Sequence, residues 1–347
     1  MNKIKFGIIG TGFGARVMLP CLNYIDGINV IVLANTKGEV EKEILDNYKE
    51  MEICDVDEIF NKSDIDAICI ETPPVTHNHL IKKSIDRKIP IICEKPFVLN
   101  EDDAATIINK VEETKIFACI NHQLRFHPNI IKLRKLIQGG ELGMIRHVEL
   151  NHHSSQKFNV TNFNDWWFNE SSGGGQLNAL GSHFIDLVIY LFGDISKVYG
   201  NLESYYENKS KLTENYCSLF LKLNNGISCN ITSSSATSSD IGLNLLVSGS
   251  KKKVIMSNFN KLTLFNDQEN VLGEDISTHD SLLGKEIIGL NPWRTSLVYH
   301  LSHIRDVLQN NVDYGGCTFK DGLKVLKVIN AVKLSNDLRK EIEIDYL

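Results

Sequence analysis

Short apolar runs alternate with helical patterns through the first third of the chain. Ile4–Ile9, Ile28–Ala34, Ala67–Glu71, Ile89–Cys93 and Phe117–Asn121 are β-branched and apolar at successive positions. That is the pattern of strands buried on both faces of a parallel sheet. Helical patterns fall between them, at Ala15–Tyr24, Glu39–Asn47, His77–Arg87 and Glu101–Glu113. Asn100 is placed to N-cap the last of these, with Asp102 and Asp103 in its first turn. Strand–helix repetition of this kind predicts a doubly wound α/β sheet.

After about residue 122 the pattern changes. His127–Gln138 reads as a helix closed by Gly139-Gly140. Longer segments with period-2 alternation follow, at Ile145–His153, Lys197–Tyr206, Tyr216–Leu223, Ile227–Ser233, Leu243–Ser248, Lys253–Met256 and Leu262–Phe265. With turns such as Asn224-Asn225-Gly226 they predict a large, mainly antiparallel sheet. Two helices, about Arg294–Gln309 and Lys320–Asn336, close the chain, and residues 267–292 carry the weakest pattern. The expected organisation is a Rossmann domain over 1–122 and an α+β domain with an open antiparallel sheet over 123–347.

The 347 residues suit two domains. A net charge of −6 leaves no basic footprint for nucleic acid, and the apolar runs fall short of a membrane span. The chain enters a strand at once, so no signal peptide is expected. The eight cysteines are scattered without a Cys-x-x-Cys pair, which reads as reduced thiols in the cytoplasm and not a disulfide frame or zinc site.

Gly10-Thr11-Gly12-Phe13-Gly14-Ala15 has the G-x-G-x-x-A form, after a strand and before a helix. In that context it is a dinucleotide-binding turn. Gly10 permits the tight turn, Gly12 lets the backbone approach a pyrophosphate, and Ala15 keeps helix and strand close. The helix N-terminus supplies amide donors for the phosphates. An NAD-selective site usually carries Asp or Glu at the end of the second strand. Here Asn35-Thr36-Lys37 stand there. Thr36 and Lys37 suit a 2′-phosphate, so the reading leans to NADP and leaves NAD open.

Three further segments carry the chemistry: Thr72-Pro73-Pro74-Val75-Thr76-His77, Cys93-Glu94-Lys95-Pro96, and Ser172-Gly173-Gly174-Gly175-Gln176-Leu177-Asn178-Ala179-Leu180-Gly181-Ser182-His183. With the Gly10 turn, this set resembles the Gfo/Idh/MocA oxidoreductases over nearly the whole chain. Asn121-His122-Gln123-Leu124-Arg125-Phe126-His127-Pro128 is most similar to the glucose–fructose-oxidoreductase-like branch. The resemblance implies Lys95 as the group that hydrogen-bonds the reacting oxygen and His183 as the catalytic acid/base. It implies cofactor contacts from Thr72, Pro73, His77 and Glu94. It implies a sugar or polyol substrate bordered by Arg125, His153, Trp166, Asn178, Lys95 and His183, and a homodimer or homotetramer built through the C-terminal sheet. The histidine pairs lack a third ligand at helical spacing, so no metal is expected. Two departures stand out. Inositol-type members carry Asp four residues before the histidine, where this chain has Ala179, and Trp167 stands where the family often has Arg. Asn178 lies one residue off the His183 face on α-helical spacing. The alternatives are a tightly bound NAD(P) used catalytically for elimination, epimerisation or glycoside cleavage, and a cofactor-bound sensor without turnover.

Overall fold

The computed structural model describes residues 3–35, 40–156, 165–206, 212–266, 273–278, 291–310 and 312–346. Thr36 and Lys37 lie outside them, as does most of 267–292. The chain divides into two compact units, 1–123 with 286–323, and 124–285 with 324–347.

In the first unit six described strands form a parallel sheet: β1 (Ile4–Ile9), β2 (Ile28–Ala34), β3 (Glu52–Cys54), β4 (Ala67–Ile70), β5 (Ile91–Cys93) and β6 (Ala118–Ile120). Their order is 3-2-1-4-5-6, the doubly wound Rossmann order. Its topological switch falls between β1 and β4, where such sheets bind ligands beyond the strands' carboxyl ends. Strand β3 escapes the sequence pattern because three residues with one buried side chain leave no periodicity to read.

The helix after β1 starts as a π turn, Gly14–Met18, and only then becomes α1 (Leu19–Asn23). Pro20 has no N–H to close an α-turn onto Arg16, and a wider turn accommodates it. The close approach expected of Ala15 falls on Gly14. A Cβ there would stand 2.9 Å from Ile8 Cγ2 and 3.0 Å from Glu71 Cβ. Helices α2 (Lys42–Asn47), α3 (Val56–Ile59), α4 (His77–Asp86) and α5 (Glu101–Thr114) follow in order. The Asn100 side chain caps α5 by accepting from Asp103 N–H at 2.8 Å, as expected.

The second unit holds α6 (Pro128–Gln138), α7 (Ser182–Phe192) and a sheet of nine described strands. These are β7 (Ile145–His153), β8 (Ile195–Glu203), β9 (Tyr216–Leu223), β10 (Ser228–Ser234), β11 (Gly242–Gly249), β12 (Lys252–Ser257), β13 (Lys261–Asn266), β14 (Glu274–Asp275) and β15 (Ile342–Glu343). All neighbours pair antiparallel except β7 and β10. One face is apolar and buried, with Val148, Leu150, Leu219, Leu221, Ile231, Leu245 and Val247 among its residues. Two long helices follow, α8 (Pro292–Asn310) and α9 (Phe319–Leu338). Helix α8 packs on α1 in the first unit. Val332 of α9 covers Gly200 of β8, where a Cβ would come within 2.8 Å of it. Among the described residues no helix is long and apolar enough to cross a membrane. All eight cysteines are described, buried and free of disulfides.

Candidate active site

Gly10 has φ +118°, and a Cβ there would lie 2.5 Å from the Glu71 carbonyl oxygen. Only glycine fits that turn. Gly12 is the opposite case, since its Cβ position meets nothing within 4 Å. This open space at a helix N-terminus fits the pyrophosphate of a dinucleotide. Thr11 and Phe13 flank it, with Phe13 exposed. Thr11 Oγ1 donates to Asn35 Oδ1 at 3.2 Å, fixing the amide at the end of β2.

His77 is wholly buried. Its Nε2 lies 2.8 Å from the Thr72 carbonyl and its Nδ1 3.1 Å from the Pro96 carbonyl. The ring thus sits between the Thr72-Pro73 turn and the Glu-Lys-Pro turn, and its neutral form donates its single N–H to one of the two carbonyls. Burial pushes its pKa down to about 4, so the ring is neutral near pH 7. The role visible for His77 is a brace between the two turns. The Lys95–Pro96 peptide bond is cis.

Glu94 and Lys95 are half-buried at the carboxyl end of β5. Burial lowers the Lys95 ammonium from the usual lysine range, against the pull of Glu94 and then Glu71. The Glu94 carboxylate accepts from Asn121 Nδ2 at 2.5 Å and from the Lys95 backbone N–H at 3.3 Å. Glu71, just past β4, was read from the sequence only as a strand residue. It is buried, and neither carboxyl oxygen has a hydrogen-bond partner among the described residues. Burial, then Glu94, pushes its carboxyl well above the usual range, while Lys95 opposes the shift. A glutamate ending an otherwise apolar strand was the available signal.

In the second unit, the glycine run before α7 is dictated by its neighbours. The Trp166 and Trp167 carbonyls press on Gly174, and the Glu214 carboxylate presses on Gly175, whose φ is +100°. Glu214 accepts from the Leu177 N–H at 2.9 Å, capping the helical segment that carries His183. Sequence reasoning missed this carboxylate. Residues 177–181 form a π turn, closed where the Ser182 N–H donates to the Leu177 carbonyl. In a turn closed by i→i+5 bonds, Asn178 and His183 lie nearer one face than α-helical spacing allows. The expectation that set Asn178 off that face assumed 3.6 residues per turn. Asn178 Nδ2 donates to the Gly174 carbonyl at 3.2 Å, and its carbonyl accepts from Ser182 Oγ at 2.7 Å. His183, Asn178 and Ala179 are all buried.

Arg125 is also buried, in a bidentate pair with Asp186. Nε donates to Oδ2 at 2.9 Å and Nη2 to Oδ1 at 2.6 Å. Its guanidinium lies 4.9 Å from the Tyr190 ring centroid. This pairing locks α7 to the segment before α6. His152 and His153, adjacent on β7, face opposite ways, as alternation along a strand requires. His152 is on the buried face, its ring 5.3 Å from that of Phe184, the neighbour of His183. His153 is on the other face, opposite Ser234 and Gly242. The histidine on the α7 side is therefore His152, one residue before the one singled out from the sequence. Trp166 is half-buried in a 3₁₀ turn, with its ring 6.2 Å from Trp167.

Comparison with known proteins agrees with this architecture. Residues 4–122 match the model of the oxidoreductase family with an NAD-binding Rossmann fold, and residues 130–255 match the GFO/IDH/MocA C-terminal domain. The chain is 24% identical to glucose-fructose oxidoreductase domain-containing protein 1 of Xenopus tropicalis, over 95% of this chain and 90% of that protein. An oxidoreductase domain protein from Kribbella flavida superposes with a TM-score of 0.87 at 19% identity, covering 99% of this chain and all of the other. Levoglucosan dehydrogenase, in complex with NADH and levoglucosan, has the same TM-score at 16% identity, over the full length of both chains. With both of its domains matched, the chain belongs to the Gfo/Idh/MocA family of oxidoreductases, and its first domain is an NAD-binding Rossmann fold.

Proposed function

We propose that this protein is a dehydrogenase or reductase that moves a hydride between NAD(P) and the CH–OH carbon of a sugar, sugar-nucleotide or polyol. The observation that carries the reading is Lys95. It is a half-buried lysine at the carboxyl end of a Rossmann strand, with two carboxyls near enough to act on its charge. A lysine so placed donates to the reacting oxygen and stabilises alkoxide charge as hydride leaves the carbon. His183 takes the hydroxyl proton in oxidation and returns it in reduction. Asn178, Arg125, Trp166 and His153 were the remaining substrate candidates. Of these, Asn178 gains support from the π turn, and Arg125 is committed to Asp186.

The nicotinamide supplies the hydride acceptor when bound. Gly10, Gly12 and Gly14 shape the turn that receives the dinucleotide, with Thr11, Asn35, Thr72 and Glu94 around it. The preference for NADP rests on Lys37 and Thr36. The NADH complex of levoglucosan dehydrogenase favours NAD. The free, buried cysteines favour a reducing compartment, the cytoplasm. Tyr199 and Phe220 sit opposite each other, exposed, on the outer face of the second sheet. They support pairing of copies through that face.

One observation keeps the second reading alive. The buried Ala179 offers no carboxylate to His183, as expected of a cofactor-bound sensor without turnover. The experiment is a steady-state assay across sugars and polyols with NAD and NADP. Turnover with at least one substrate supports dehydrogenase function. Cofactor retained through purification, with no net reduction on any substrate, selects an alternative: bound NAD(P) used catalytically if a substrate is converted, a sensor if none is.

A further inference from the structure

The first unit contains a buried hydrogen-bond chain that reaches Glu94. Asn121 Nδ2 donates to Glu94 Oε1 at 2.5 Å, so its Oδ1 points the other way, 3.1 Å from His300 Nδ1. An amide oxygen only accepts, so Nδ1 carries the proton. His300 Nε2 is then the acceptor, and it lies 2.8 Å from the Tyr314 hydroxyl, which donates. Every donor in the chain is therefore aimed toward Glu94. Asn121 and His300 have no solvent exposure, and Tyr314 lies at the half-buried end. Glu71, the other carboxyl beside Lys95, receives no donor among the described residues.

We propose that Tyr314, His300 and Asn121 are positioning residues that hold Glu94 as the anionic counter-ion of Lys95. The second acid, Glu71, carries a proton. Burial raises the Glu94 carboxyl above its usual range, and the Lys95 ammonium and then the Asn121 amide oppose that rise; a carboxylate fed by directed donors keeps its charge at a dry site, whereas a carboxyl without donors keeps its proton. Two acids flanking one ammonium thereby take different states, and Lys95 keeps its charge beside a carboxylate that cannot swing away. The ionisable groups around the chain are Lys95 and Cys93 at the end of β5, Cys69 on β4 with Glu71 just past it, and Cys119 on β6, which hydrogen-bonds Tyr314. His303 of α8 stacks on the Tyr314 ring at 5.8 Å.

The inference deepens the reading of Lys95, but its test does not use turnover. Glutamate carboxyl carbons are labelled with ¹³C and titrated by NMR in the whole protein, with Glu94 assigned from the peak lost in Glu94→Gln. The expected result is a Glu94 midpoint raised by about one unit, a tenfold change in proton affinity, in His300→Leu. His300→Gln, with one donor and one acceptor in line, should restore the parent value. Tyr314→Phe should give a smaller upward shift, and it serves if His300→Leu does not fold. Glu94 titrating alike in the parent and in every folded variant would overturn the proposal, whether or not the protein turns over a sugar.

Discussion

Gly10 and Gly12 separate two uses of the same residue type. A side chain at Gly10 meets the Glu71 carbonyl in a positive-φ backbone, whereas one at Gly12 meets only open space. Gly10→Ala should therefore lower stability by roughly 1–3 kcal/mol and abolish NADH binding. Gly12→Ala should keep the parent melting temperature and weaken NADH at least tenfold, because the added methyl occupies the room left for the phosphates. Thermal melting and a fluorescence titration of NADH check both, and equal effects of the two variants would refute the distinction. The buried histidines give a pH prediction. His77 and His152 are each pushed down to about 4 by burial, below the ordinary value near 6.5. A depressed histidine contributes stability above its unfolded pKa and loses it as pH falls toward the folded value. Stability should thus decline between about pH 6.5 and 4, by at most roughly 3 kcal/mol for each histidine. Glu71 runs the opposite way, since its raised carboxyl favours the fold at low pH. The test is therefore a difference: His77→Asn should show a flatter decline than the parent in urea melts across that range, and parallel curves would contradict the assignment.

At the scale of elements, the sequence was most informative where a strand keeps one pattern from end to end. The bounds of β1, β2, β7 and β9 follow from apolar runs or strict alternation. The two π turns, at 14–18 and 177–181, could not be read. A π turn changes the period by less than one residue, and the apolar positions around it still look α-helical. That is why Asn178 was set off the His183 face. His152 and His153 show the same limit on a strand: a one-residue ambiguity reverses the face. The places of Glu94, Lys95 and the glycine turn at the carboxyl ends of strands were legible because they sit in local motifs. Glu214, His300 and Tyr314 were not, since each acts on a partner far away in the chain and leaves no local signal. Asp186 is tied to Arg125. Asp186→Ala strands a buried guanidinium and should cost about 3–5 kcal/mol in urea denaturation. A loss below about 1 kcal/mol would show that the pair does not hold α7 in place.

For the molecule as a whole, the account joins two units with different duties. In the proposed reaction the Rossmann unit would supply the dinucleotide turn and the Lys95 cluster, and the second unit would supply His183 on its capped π turn. The division of labour explains why family membership was legible from four short motifs spread along the chain, while the substrate was not. In the proposed function, substrate choice would fall to side chains around His183, whose order in the sequence does not reveal which face they take. The most direct test of the central claim separates binding from chemistry. Cofactor affinity and single-turnover hydride transfer from a substrate found in the panel are measured for the parent, Lys95→Ala and His183→Ala. The account predicts that both variants bind the cofactor within about threefold of the parent, while transfer falls by roughly 10²–10⁴-fold. Transfer at the parent rate in both variants would contradict it.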